Sequence, residues 1–153
     1  VVQMLHEIGS ADAARGYVEP HLQAKRKLMG FGHRVYKVKD PRATVLQGLC
    51  ERLFKECGPS PLYATALEVE RVAGETLNGK GIYPNVDFYS GVIYDKMGIA
   101  VDLFTPLFAM ARVSGWLAHW LEQLRENKLF RPDQIYTGAH SRAYTPLHQR
   151  GPL

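Results

Sequence analysis

Hydrophobic positions recur with helical spacing along most of this chain, and turn residues separate the recurring blocks. The clearest block follows Asp40-Pro41, where an N-cap residue and a proline at the first helical position predict a helix start. Its apolar residues share one helical face, which we expect to enter the core: Val45, Leu46, Leu49, Cys50, Leu53, Phe54 and Cys57. Ser60-Pro61 predicts the next helix start, and Asn78-Gly79 predicts its end near Leu77.

Further helical blocks lie on either side of these two, over residues 1–8, 11–28, 86–97 and 105–127. Pro20 lies inside the second of them and is expected to break or kink the helix near Glu19. Residues 134–137 are the one candidate for a short strand. The pattern as a whole predicts an all-α protein whose helices are joined by short loops.

The stretch from residue 103 to residue 121 contains a single formal charge, Arg112, and approaches the length of a membrane span. An arginine at the centre of a span costs roughly 3 kcal/mol even on the lenient insertion scale. We therefore favour a helix buried in a large helical core. A buried guanidinium then needs a carboxylate or a bound anion beside it.

Composition narrows the class of protein without identifying a ligand. The 153 residues, 46% hydrophobic and 22% charged, are typical of one globular domain. A formal charge of +4 and a pI near 9.1 favour anionic partners, among which nucleotides, carboxylates and nucleic acid stay open. Cys50 and Cys57 share a helix face and cannot pair within a straight helix, so we expect reduced thiols in a cytoplasmic protein.

The first candidate site is a glycine-spaced loop, residues 29–32, which His33 follows at once. Cations and the helix start at Asp40 come within the next few residues; the cations are Arg34, Lys37 and Lys39. An imidazole, several cations and a helix N-terminus close together suit an anionic ligand. A solvated basic loop before a helix has the same composition, so both interpretations stay open at this point.

Asn85 and Asp87 form a second candidate site, at the start of the predicted helix 86–97. An N-cap amide and a first-turn carboxylate would also stand there for structural reasons alone. Arg112 is a third candidate, whereas Arg131 by itself is typical of surface charge. The other histidines lack metal-like spacing, and no phosphate-cradling or dinucleotide motif is present, so we expect no metal and no bound cofactor.

Two long motifs in this order resemble the citrate synthase family: MGFGHRVYKVKDPR at 29–42 and YPNVDFYSGVIYDKMG at 83–98. The likeness extends over the whole chain and implies an all-α, citrate synthase-like fold. It implies that residues 1–7 end a large-domain helix, that 8–99 form the small, acetyl-CoA-binding domain, and that 100–153 return to the large domain. The implied activity is the condensation of acetyl-CoA with oxaloacetate to citrate and coenzyme A in the tricarboxylic acid cycle.

The resemblance also implies roles for individual residues. His33 matches the histidine that polarises the carbonyl of oxaloacetate, and Asp87 matches the base that removes a methyl proton from acetyl-CoA. Arg42 and Arg112 match arginines that bind the carboxylates of oxaloacetate and citrate. Arg131 matches an arginine that reaches the site of a partner subunit, which implies a homodimer or a higher even-numbered oligomer.

The same resemblance assigns the coenzyme A contacts, with acetyl-CoA as a substrate rather than a cofactor. We expect no nucleic acid partner, because the cations cluster around one small loop without interleaved aromatic residues, and Arg112 argues against a membrane span. The backbone of the loop 29–32 is expected to recognise adenine, and Lys37 is expected to contact the phosphates. Asn85 is expected to lie in the same active-site loop. These residues are Met29, Gly30, Phe31, Gly32, Lys37 and Asn85.

One departure from the family concerns a second histidine, in a motif resembling LHGGAN, which stabilises the enolate of acetyl-CoA. The 153 residues do not contain this motif. We expect it to lie a few residues before Val1, so that the chain is a C-terminal fragment that is inactive by itself. Two alternatives stay open: a 2-methylcitrate synthase that uses propionyl-CoA, and a non-catalytic fragment that binds coenzyme A or only assembles.

Overall fold

A computed structural model describes residues 1–77, 79–129 and 135–151, and their regular secondary structure is helical. The α-helices in chain order are α1 (Val2–Ile8), α2 (Ala14–Gln23), α3 (Pro41–Cys57), α4 (Pro61–Thr76), α5 (Val86–Lys96) and α6 (Phe104–Arg125). Short 3-10 turns occupy Val101–Leu103 and Leu147–Gln149. Within the described ranges there is no strand, only one isolated antiparallel bridge between Phe31 and Pro84. The predicted all-α fold is confirmed.

The helix starts predicted from turn residues are confirmed. Asp40 caps α3 by accepting a hydrogen bond from the Arg42 backbone N–H at 2.9 Å. Ser60 caps α4 by accepting from the Tyr63 N–H at 3.3 Å. Both helices have proline in their first turn, where its missing N–H leaves no bond unmade. Local chemistry is therefore sufficient to start both helices.

Of the break or kink predicted near Glu19, the break is wrong. Helix α2 continues through Pro20 and ends at Gln23, shorter than the predicted block 11–28. The Pro20 carbonyl accepts from the Ala24 N–H at 3.0 Å, so the last turn closes normally. Val18 is fully buried where α2 packs against α4, and this tertiary packing outweighs the local preference of proline to end a helix.

Helices α1 to α5 bury their apolar faces against one another, with α4 packed against α1, α2 and α5, and α3 packed against α5. The core face of α3 is narrower than predicted. Cys50 and Phe54 are buried, but Val45 is 65% exposed, and Leu49 and Cys57 also face solvent. Since α3 contacts mainly one neighbour, only a narrow stripe along it enters the core.

Helix α6 has no buried residue, which contradicts the expectation of a helix enclosed in a core. Met110 is 70% exposed and Trp116 is 57% exposed, because the described part of the chain supplies no layer that covers them. None of the described helices combines the length and the hydropathy that crossing a membrane requires.

The internal contacts divide the chain into a unit formed by Val1–Val113 and a second unit formed by Ser114–Leu153. The first unit contains α1 to α5. The predicted domain division, 1–7, 8–99 and 100–153, stays a prediction. Of the possible strand at 134–137, residue 134 lies outside the described residues, and residues 135–137 have no regular secondary structure.

We expect Leu62→Ala to lower the free energy of unfolding by about 2–5 kcal/mol, because this buried α4 side chain would leave a cavity. Leu67→Ala on the same helix is the matched control. Leu67 is 37% exposed, and we expect its loss to cost no more than about 1 kcal/mol. Urea unfolding followed by circular dichroism measures both changes, and equal effects would contradict the core described above.

Candidate functional site

Three hydrogen bonds join the loop at residues 30–32 to the segment 83–85, and we call them the loop pairing. The Gly32 N–H donates to the Tyr83 carbonyl at 2.8 Å, and the Asn85 N–H donates to the Gly30 carbonyl at 2.8 Å. The Asn85 side-chain Nδ2 donates to the Gly32 carbonyl at 3.0 Å. His33 directly follows the first segment and Asp87 closely follows the second. The loop pairing therefore brings two distant parts of the chain to one site.

Gly30 lets the loop approach α5 closely. Its φ is +82°, and a Cβ built on it would lie 2.9 Å from the Phe88 ring atom Cδ2. The rings of Phe31 and Phe88 pack edge-to-face, with centroids 5.0 Å apart. Gly32 has a similar φ of +86°, but a Cβ there would meet open space. Only Gly30 is thus required for space as well as for backbone conformation.

His33 has its tautomer set by the backbone that follows it. Its Nδ1 accepts from the Val35 N–H at 3.0 Å and from the Tyr36 N–H at 3.1 Å. A ring nitrogen that accepts carries no proton, so the neutral ring carries its proton on Nε2. The ring stacks on Tyr36 with centroids 4.5 Å apart. Nε2 is therefore presented as a hydrogen-bond donor.

Arg42 is held beside His33 by Asp40. The Arg42 Nε and Nη2 donate to the two Asp40 carboxylate oxygens at 3.1 and 2.8 Å. Asp40 is only 2% exposed, and the hydrogen bond from Arg42 lowers the pKa of its carboxyl group. The Arg42 Nη2 lies 3.4 Å from the His33 Nε2. With the His33 proton on Nε2 both atoms are donors, and one oxygen beside the pair can accept from both.

Asp87 lies in the first turn of α5 with its backbone N–H bonded to the Asn85 Oδ1 at 3.0 Å. Its charge also reaches Arg42, where it adds to a rise in pKa that is mainly due to the hydrogen bond with Asp40. Asp87 lines a cavity of about 440 Å³ together with Tyr94 and Phe108. The described contacts thus place Arg42 beside His33 and within reach of the Asp87 charge, while the convergence of Asp87 with His33 stays a prediction.

The remaining arginines predicted for the site are not joined to this group by the described contacts. Arg112 is exposed, and its guanidinium lies 5.2 Å from the ring centroid of Phe108. Its convergence with Arg42 stays a prediction. Arg131 lies outside the described residues.

A second cavity, of about 680 Å³, opens beside the loop. Two residues predicted to contact coenzyme A, Phe31 and Gly32, line it together with His33. Its basic lining residues are Lys25, Arg26, Lys27, Arg34 and Lys80. Sequence reasoning singled out only Arg34 of these five, although the run of three cations before the loop was a usable signal.

Met29 and Lys37 take more peripheral positions in the same loop region. The Met29 side chain is largely exposed, and Lys37 is also exposed. The Lys37 carbonyl lies 3.1 Å from a Cβ built on Gly81, so these two backbone segments pass close to each other. The loop and the connection before α5 thus form a basic surface next to the His33 group.

These features define an all-helical protein with paired donors and a basic cavity, a combination that suits anionic ligands. The family model for the citrate synthase C-terminal domain matches residues 1–133. The chain belongs to the citrate synthase family.

Individual relatives support this assignment. Citrate synthase from Synechocystis sp. is 59% identical over 150 residues, which cover 98% of this chain and 38% of the relative. Citrate synthase from Acidithiobacillus ferridurans is 53% identical over 152 residues, which cover 98% of this chain and 39% of the relative. The chain therefore spans about two fifths of the length of these relatives.

Solved structures of citrate synthases share the fold. The enzyme from Pyrobaculum aerophilum superimposes with a TM-score of 0.77 at 41% identity, over 97% of this chain and 38% of that one. The enzyme from Thermoplasma acidophilum was solved as a ternary complex with carboxymethyl coenzyme A and oxaloacetate. It superimposes with a TM-score of 0.74 at 36% identity, over 97% of this chain and 40% of that one.

We expect Gly30→Ala to destabilise the protein more than Gly32→Ala. Both alanines would adopt a left-handed conformation, which costs about 1–2 kcal/mol. Only the residue-30 methyl group would also press on Phe88, adding about 1–3 kcal/mol of overpacking. Thermal or urea unfolding of the two variants measures the difference. Equal losses would show that the loop does not approach α5 as described.

Proposed function

We propose that the protein to which this chain belongs condenses acetyl-CoA with oxaloacetate to give citrate and coenzyme A. The observation that carries this proposal is the pair of donors, His33 Nε2 and Arg42 Nη2, 3.4 Å apart beside the carboxylate of Asp87. Oxaloacetate has a ketone oxygen next to a carboxylate. Two adjacent acceptors of this kind match the two adjacent donors.

In the proposed reaction, His33 donates a hydrogen bond from Nε2 to the ketone oxygen, and Arg42 binds the neighbouring carboxylate. The hydrogen bond polarises the carbonyl and stabilises the negative charge that develops on its oxygen. Arg112 is proposed to bind a further carboxylate of the substrate. A planar guanidinium suits each of these contacts because it donates in a fixed fork.

Asp87 is the proposed base. It removes a proton from the methyl group of the thioester, and the resulting carbon nucleophile attacks the polarised ketone carbon. Water then cleaves the thioester and releases coenzyme A. A thioester methyl is a very weak acid, so Asp87 needs a donor that stabilises the enolate oxygen. We assign that donor to the histidine of the LHGGAN-like motif of the family.

Coenzyme A is proposed to bind along the loop, with its adenine against the backbone of residues 29–32 and Asn85 in the same active-site loop. The basic cavity supplies cations for its phosphates, and Lys37 adds another at the loop's edge. The ternary complex of the Thermoplasma acidophilum relative with carboxymethyl coenzyme A and oxaloacetate supports both substrate classes.

We further propose a homodimer or higher even-numbered oligomer in which Arg131 acts in the partner's site. A place in the tricarboxylic acid cycle follows from the proposed product. The free thiols of Cys50 and Cys57 support a cytoplasmic location, because reducing compartments keep thiols unpaired.

A chimera tests the proposal. The 153 residues replace the matching portion of the Synechocystis enzyme, and release of free thiol from acetyl-CoA and oxaloacetate is measured. We expect turnover, and we expect Asp87→Asn to lower kcat by roughly 10²–10⁴-fold, as loss of a general base does. Asp95→Asn is the matched control on the same helix, where Asp95 faces His6 at 3.7 Å, and should leave kcat nearly unchanged.

Two further arms separate the alternatives. Propionyl-CoA replaces acetyl-CoA in the first, and a higher kcat/KM with propionyl-CoA would favour 2-methylcitrate synthesis. The second arm uses the 153 residues alone, from which we expect no turnover because the enolate-stabilising histidine is not among them. A folded chimera without turnover on either thioester would contradict the proposal and favour a non-catalytic role.

A further inference from the structure

A partly buried carboxylate outside the proposed site connects the two segments that carry its residues. Glu70, on α4, is 20% exposed as a side chain. Its Oε1 accepts from the Lys39 Nζ at 2.7 Å, and its Oε2 accepts from the Tyr89 hydroxyl. Lys39 also donates to the Gln47 side chain of α3 at 3.1 Å. We call Lys39, Glu70 and Tyr89 the Glu70 bridge.

One end of the Glu70 bridge lies next to the oxaloacetate-binding group. Lys39 immediately precedes Asp40, the residue that holds the Arg42 guanidinium and caps α3. The position of the Lys39 side chain therefore constrains the backbone of Asp40, which is one peptide unit away. The bond to Gln47 fastens the same lysine to the second turn of α3, so the start of α3 is held on both sides.

The other end of the Glu70 bridge lies in the helix of the proposed base. Tyr89 is fully buried and follows Asp87 by two positions on α5. Residues two apart on a helix point to nearly opposite sides, so Tyr89 faces the core while Asp87 faces the site. The hydrogen bond to Glu70 and the packing of α5 against α3 together hold the rotation of α5 about its axis, and that rotation sets the direction of the Asp87 carboxylate.

We propose that Glu70 is a positioning residue, which sets Asp87 relative to Arg42 by accepting hydrogen bonds from both of their segments. The inference rests on the proposed function. Glu70 needs both donors because an ionised carboxylate withdrawn from water is costly unless it is paired. A glutamine there loses the charge that pairs with Lys39 and keeps one acceptor oxygen, so the Tyr89 hydroxyl must reverse its role and accept from the NH₂ group.

Single variants in the chimera separate the two ends of the bridge. Tyr89→Phe should lower kcat by roughly tenfold with little change in the KM for oxaloacetate, since small displacements of a reacting group are costly. Lys39→Met should raise the KM for oxaloacetate by roughly tenfold with a smaller change in kcat, since it loosens Asp40 and Arg42. Glu70→Gln should both lower kcat and raise the KM for oxaloacetate. Lys39→Arg, which keeps a cationic donor, should have a KM for oxaloacetate close to that of the unaltered chimera.

Glu68→Gln is the matched control. Glu68 lies on the same helix and pairs with Arg71, but this pair is contained within α4. It should change neither kcat nor KM. A role in stability alone would lower the active fraction, and hence the apparent kcat, in all bridge variants while leaving the KM for oxaloacetate unchanged. That result, or a Glu70→Gln variant with wild-type kcat and KM, would overturn the proposal.

A second measurement does not need turnover, so it separates this inference from the proposed function. Amide hydrogen exchange in the 153-residue chain reports the Arg42 and Asp87 N–H groups, each bonded to a capping side chain. We expect both amides to exchange several-fold faster in Glu70→Gln than in wild type or Glu68→Gln. If the unaltered chimera is inactive, the proposed function fails; unchanged exchange at both amides would independently overturn the role of Glu70.

Discussion

The loop pairing is the interaction on which the site depends. Its hydrogen bonds join residues 30–32 to residues 83–85, and Asn85 lies 53 positions after its acceptor Gly32. Closing so long a loop has an entropic cost. The helices of the intervening chain offset this cost, because α3 packs against α5 and α4 packs against α2. This closure brings together the two segments that carry His33 and Asp87. The left-handed conformation and missing side chain of Gly30 permit the approach.

Two side chains of the proposed site, those of His33 and Arg42, are oriented by neighbouring groups of the protein. Backbone N–H groups donate hydrogen bonds to the His33 Nδ1, and the Asp40 carboxylate accepts hydrogen bonds from the Arg42 guanidinium. Asn85 caps the helix that carries Asp87. Donors that are already oriented lose little entropy when an anion arrives. His33 Nε2 and Arg42 Nη2 lie 3.4 Å apart, so one anionic acceptor can receive hydrogen bonds from both. The Glu70 bridge extends this orientation into the core.

Sequence reasoning succeeded where local chemistry decides the structure and failed where tertiary packing does. The caps at Asp40 and Ser60 were predictable because one side chain and one backbone N–H suffice. The continuation of α2 through Pro20 was not predictable from local sequence, because contacts with α4 support it. The basic cavity was missed because Lys80 joins residues 25–27 only after folding. Hydropathy predicted the length of α6 but not its exposure, which depends on what covers it.

Cysteine cross-linking tests the loop pairing most directly. Phe31 and Pro84 face each other in the antiparallel bridge, where opposed Cα atoms lie close enough for a disulfide. In a Cys57→Ser background, Phe31→Cys with Pro84→Cys should form an intramolecular disulfide under mild oxidation, detected by mass after trypsin digestion. Phe31→Cys with Tyr83→Cys, shifted by one residue, points its side chains to opposite faces and should cross-link poorly. Equal yields from both pairs, or a higher yield from the shifted pair, would contradict the pairing.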